Sequence, residues 1–134
     1  FEDKQKIQNL ITHELIHVYH GQNNLSPDFS NTEGIDWFVE GLANYASGQL
    51  DGIKIDEVQK AVIEGNIPKS LDQFWTGKMR YQRSGSVVMF IDHEYGREML
   101  HVLLEYNKKE DLLMELGVSE AELLREWERF MRSL

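Results

Sequence analysis

The stretch His13-Glu14-Leu15-Ile16-His17 sets two imidazoles four positions apart, with a carboxylate beside the first. On a helix such positions lie one turn apart on one face, with Cβ atoms roughly 5–6 Å apart. Both rings can then reach a single Zn²⁺ at about 2.0–2.1 Å. Glu14 is rotated around the helix away from both histidines. It is better placed to take a proton from an attacking water than to bind the metal. Two ligands and a general base from one turn of backbone is the division of labour that metal-assisted hydrolysis needs.

The flanks predict that this stretch is helical. Ile7, Leu10, Ile11, Leu15 and Val18 recur at spacings of three and four, the helical period. Glu2 and Asp3 suit the positive end of a helix dipole in the first turn. Gly21 and Pro27 place the stop near His20. Residues 2 to 20 therefore read as one amphipathic helix, its apolar side in the core and its histidines facing a cleft. The alternative is a surface helix in which H-E-x-x-H occurs by chance.

Catalytic zinc usually takes three protein ligands and keeps a fourth position open, so a third ligand is required. Residues 36–45 read Asp36-Trp37-Phe38-Val39-Glu40-Gly41-Leu42-Ala43-Asn44-Tyr45. Ile35, Phe38, Val39, Leu42 and Ala46 mark the buried side of a second helix, with Glu40 beside it. An inward carboxylate is costly unless paired or coordinated, which makes Glu40 the expected third ligand. Gly41 and Ala43 are small and are expected to let this helix pack closely on the first. Asn44, one turn beyond Glu40, is expected to accept a hydrogen bond from a ligand imidazole.

HELIH followed by WFVEGLANY resembles the gluzincin branch of the zinc metallopeptidases, which pairs H-E-x-x-H with a W-x-x-E-G-x-A-x-Y helix, as in the aminopeptidase N family. Glu40 lies 23 positions after His17, slightly more than is usual in that branch, and the extra residues fall in the polar connection from Gly21 to Gly34. A shorter gap would land on Asp36, which stays as a second candidate ligand. Tyr81-Gln82-Arg83-Ser84-Gly85-Ser86, the later Tyr95-Gly96, and Leu116-Gly117-Val118-Ser119 before a helix with Trp127 extend the likeness. Their order is similar to the bacterial peptidase MA-like family. The resemblance implies a mainly α, zincin-like helical domain over residues 1–134, one zinc ion on His13, His17 and Glu40, and a peptide or protein substrate. It also implies an edge strand before the first helix that pairs with substrate backbone. Only twelve residues precede His13, and all read as helix, so the upstream sheet is expected to be missing or minimal and the chain to be a fragment or processed product. In gluzincins a tyrosine or histidine donates to the developing oxyanion. Tyr81, 14 positions before Tyr95, matches that family tyrosine; core packing is the competing role.

Composition sets limits. At 134 residues the chain suits one domain with its own core. Fourteen basic and 23 acidic residues give a net charge of −9, which argues against a nucleic-acid partner. There is no cysteine, hence no disulfide and no thiolate chemistry. No apolar run is long enough to span a bilayer, so a soluble bacterial protein, cytoplasmic or secreted, is expected.

Beyond the two metal helices, the spacing predicts helices over 54–64, 79–95, 97–106, 109–116 and 119–131, with an apolar knot at Leu71, Phe74 and Trp75. Ser119-Glu120-Ala121-Glu122 fits a capping box. His20 reads as a histidine serving free carbonyls at a helix end, with ligation the lesser alternative. His93 and His101 read as exposed or core-edge, and Asp28 and Glu33 as solvated loop residues. Two functional classes follow. One is a zinc-dependent peptidase that uses a metal-activated water, with Glu14 as general base and Tyr81 as oxyanion donor. The other is a non-catalytic zincin-like domain that keeps the metal site for structure or peptide binding. An intact Glu14 favours the first, since a structural zinc site would be closed by a fourth ligand; the missing strand favours the second.

Overall fold

A computed structural model describes the backbone of residues 2–134 and the side chains of residues 4–134. The roles expected of the Glu2 and Asp3 side chains therefore lie outside the described residues. Among the described residues there are eight helices and no strand: α1 (Glu2–Gln22), α2 (Asp36–Ala46), α3 (Gly52–Ile63), α4 (Leu71–Phe74), α5 (Arg80–Tyr95), α6 (Arg97–Leu103), α7 (Lys109–Leu116) and α8 (Glu120–Ser133). The mainly α class read from the sequence is what the chain adopts. An isolated parallel bridge joins Glu33 to Lys108 and ties the long α1–α2 connection to the start of α7. No described helix is long and apolar enough to cross a membrane.

The core is built around α2 and α5. Trp37, Phe38, Val39 and Leu42 of α2 meet Val87, Val88, Phe90 and Ile91 of α5, all buried. The two backbones approach closely because small residues face each other. A β-carbon at Gly41 would sit 2.4 Å from the Ser84 carbonyl oxygen, and one at Gly85 would sit 2.7 Å from Asn44 Oδ1. Gly41 thus serves the contact of α2 with α5, not the contact with α1 expected from its position. Ala46 also departs from expectation and is exposed.

α8 closes the far side of the core with Leu123, Trp127 and Met131, one residue per turn along a single face. Its start is the predicted capping box: Glu122 N–H donates to Ser119 Oγ at 3.1 Å, and Ser119 N–H donates to Glu122 Oε1 at 3.3 Å. Trp127 Nε1–H donates to Ser86 Oγ at 3.0 Å, which anchors the last helix to α5.

The orientation of α1 overturns the reading of its two faces. Ile7, Leu10, Ile11, Leu15, Val18 and Tyr19 all point outward, between 49 % and 60 % exposed. The side that faces the protein carries the histidines: His13 and His20 are buried, and Ile16 packs on the core between them. Periodicity identified the helix, but the neighbours along its inner edge are α2, from Phe38 to Glu40, and the 24–30 loop. Those neighbours receive imidazoles. His20 stacks edge-on against Phe29 and Phe38, with ring centroids 4.9 and 5.5 Å apart.

Candidate metal centre

α1 and α2 bring His13, His17 and Glu40 together, with one ligand atom from each within 4.8 Å of the others. His13 Nε2 and His17 Nε2 are 3.0 Å apart. His17 Nε2 is 3.1 Å from Glu40 Oε1, and His13 Nε2 is 3.4 Å from the same oxygen. A tetrahedral zinc with ligands at 2.0–2.1 Å would separate neighbouring donors by about 3.3–3.4 Å. The triangle therefore has the size such an ion needs. Two imidazoles and a carboxylate also form the donor set of an open, hydrolytic zinc site, so the residues present fit zinc.

The electrostatics of the cluster suit a cation. The hydrogen bond to Glu40 raises the His17 pKa above its ordinary value, against the opposing effect of burial. Burial works to raise the Glu40 pKa, but the hydrogen bond and charge of His17, with His13 behind it, outweigh it and hold the carboxyl below the usual range. Glu40 is thus an ionised, half-buried carboxylate whose present partners are both imidazoles.

The expected partner of the ligand imidazole is a different residue. Gln49 Oε1 accepts from His13 Nδ1–H at 2.5 Å. Ser47 Oγ–H reaches the same oxygen at 3.2 Å, and Lys54 Nζ–H holds the Gln49 carbonyl at 3.0 Å. With Nδ1–H given to Gln49, His13 turns its Nε2 lone pair toward His17 and Glu40. This is how an outer hydrogen bond sets the tautomer of a metal ligand. Asn44 does not make that bond. Its Oδ1 is buried with no hydrogen-bond partner, held against Gly85 by the tight α2–α5 approach. Gln49 follows a glycine in a short turn and belongs to no periodic pattern, so nothing in the sequence singled it out.

Glu14 and Tyr81 share a cleft with His13. The cleft has a volume of about 340 Å³, and Leu10, Gln49, Lys54 and Gln82 complete most of its wall. Glu14 is exposed; its carboxylate bonds to none of the three ligand residues, but its charge adds to the rise in the His17 pKa. Tyr81 is 46 % exposed, so its ring belongs to the cleft and not to the core. It stands 6.4 Å from the His13 ring, centroid to centroid, and is braced edge-on by Trp75 at 4.8 Å. A larger cavity of about 500 Å³ lies on the other flank of α1, against Ile16, Leu42, Leu100 and Leu104. It holds none of these chemical groups, so the smaller cleft is the one beside the chemistry.

The other candidates are not gathered. Asp36 is exposed at the start of α2, outside the cluster. His20 sits in the core with neither ring nitrogen in a well-formed hydrogen bond; the carbonyl that acts on its ring is that of Leu104, in a distant segment, which corrects its reading as a helix-end histidine serving free carbonyls. Burial, with His17 nearby, pushes the His20 pKa down to about 4. His93 and His101 are exposed, as are Asp28 and Glu33.

No protein-family model matches this chain, and neither a curated protein nor a solved structure matches it.

Proposed function

We propose that this chain is a zinc-dependent peptidase domain of the gluzincin type, acting on peptide or protein substrates. The observation that carries the reading is the triangle of His13, His17 and Glu40, sized for one zinc ion, opening beside a cleft that holds both Glu14 and Tyr81. When bound, zinc would supply Lewis acidity, easing deprotonation of a water molecule and polarising the scissile carbonyl.

Each of the chain's own groups has a defined task. Gln49 holds His13 in the tautomer that leaves Nε2 free. Glu14, exposed to the cleft, takes the proton of the attacking water and passes it to the leaving amine. The Tyr81 hydroxyl donates to the oxyanion that develops on the substrate, a bond that forms mainly in the transition state.

Metal analysis after loading with excess zinc and dialysis provides the first test. The wild-type chain should retain one equivalent and His17→Ala should retain none. Peptide hydrolysis should disappear with a chelator and return with zinc. Glu14→Gln should keep the metal and lose about 10²–10⁴-fold in turnover, because the amide keeps the shape without the basicity. A wild-type chain that retains no zinc, or a Glu14→Gln variant of equal activity, sinks the proposal.

A further inference from the structure

Lys54 stands in the wall of the cleft that holds His13, Glu14 and Tyr81. It is placed there by the first turn of α3, where Asp51 Oδ1 accepts the Lys54 N–H at 2.9 Å. One of its ammonium protons goes to the Gln49 carbonyl at 3.0 Å. A lysine Nζ carries three donors, so two remain. The side chain is half-buried, yet no carboxylate among the described residues pairs with it. Lys109, also half-buried, is by contrast held by both Asp72 and Glu120. Nearby Gln82 does not compete for the same role, since its amide donates to Glu57 Oε2 at 3.2 Å. In a chain of net charge −9, an unpaired cation facing the reactive cleft is a conspicuous placement. Two of its three donors are thus open to an anionic group of a ligand in the cleft.

We infer that Lys54 forms a carboxylate subsite, selecting peptides that carry a carboxylate on a residue next to the scissile bond. This rests on the peptidase reading of the same cleft. The cleft, at about 340 Å³, lies at the small end of ligand pockets and suits a substrate residue more than a folded partner. Leu10 and the Tyr81 ring offer apolar walls for the aliphatic part of that residue, and Lys54 receives its charge. Either an Asp or Glu side chain or the C-terminal α-carboxylate would supply the chemistry.

Zinc-loaded protein and four matched peptides separate the possibilities. The peptides differ only in Glu against Gln beside the cleaved bond and in a free acid against an amide at the C-terminus. The wild-type chain should prefer one carboxylate source by roughly tenfold or more in kcat/KM, the size expected of a charged hydrogen bond. That preference should weaken at high salt. Lys54→Gln should bring the ratio of acid to neutral peptide close to one, with the loss falling on KM, and Lys54→Arg should restore it. Equal hydrolysis of all four peptides by the wild-type chain overturns the subsite alone. So does an equal loss on all four in Lys54→Gln, which would mark Lys54 as only a brace for Gln49. Failure to cleave any peptide overturns the proposed function and the subsite with it. The salt dependence of the wild-type preference tests the idea even if the Lys54 variants do not fold.

Discussion

Tyr81 and Gln49 show how single side chains decide what the centre can do. Tyr81 is braced edge-on by Trp75 and stands beside the His13 ring, and in the proposed mechanism its hydroxyl serves the substrate. Tyr81→Phe should lower kcat by about 10²–10³-fold, with little change in zinc content or KM, as removal of an oxyanion donor does. Unchanged turnover, measured at saturating peptide with zinc content checked in parallel, would remove Tyr81 from the mechanism. Titration ties the ligands to pH. In the metal-free chain the raised pKa of His17 contributes stability that is fully present below the ordinary value of 6.5 and lost as pH rises through the raised one. The lowered pKa of Glu40 contributes stability present above 4.5 and lost as pH falls through the lowered one. Zinc must displace the His17 proton, so its apparent affinity should begin to fall at a higher pH than it would for an ordinary histidine.

Among the elements, α1 and α2 are used in opposite ways. α2 is buried on most of its circumference and joined to α5 through glycine, so its tolerance is small. Gly41→Ala would force a methyl group to 2.4 Å from the Ser84 carbonyl oxygen, a backbone atom, and should cost about 1–3 kcal/mol in urea unfolding. α1 meets the protein mainly along its histidine edge, with Tyr19 also reaching His101 at 3.1 Å. Leu15, 60 % exposed, looks like a core residue in the sequence, yet Leu15→Lys should shift stability by no more than about 0.5 kcal/mol. A large loss there, or none at Gly41, would contradict the arrangement of the two helices.

For the whole molecule, acid stability and metal binding are the measurable properties. Above about 6.5, the ordinary value for histidine, His20 is neutral in both the folded and the unfolded chain. As pH falls, the unfolded chain takes up a proton that the folded one resists until about 4. Stability is therefore lost across that window, by up to roughly 3 kcal/mol at 1.36 kcal/mol per pKa unit. His20→Leu should flatten this part of the curve; urea midpoints that stay parallel to wild type from pH 7 to 4 would refute the account. Zinc in hundredfold excess over its Kd should stabilise the fold by about 2.7 kcal/mol, seen as a higher Tm that His17→Ala does not share.

Sequence alone determined what depends on local spacing. The helical period placed the helices within a few residues of where they stand, Ser119 and Glu122 announced their capping box, and H-E-x-x-H with Glu40 picked out three residues that the fold brings within ligating distance of one another. These features depend on neighbours one turn away, or on residue types that few other roles would bring together. Only the tertiary structure decided which face of each element is covered. Apolar spacing shows that α1 has a greasy side but not that a partner lies against it, and here α2 and the 24–30 loop meet the histidine edge instead. The hydrogen bond from His13 to Gln49 and the orphaned oxygen of Asn44 against Gly85 arise from contacts between segments far apart in the chain. A sequence read along one dimension carries no record of such contacts.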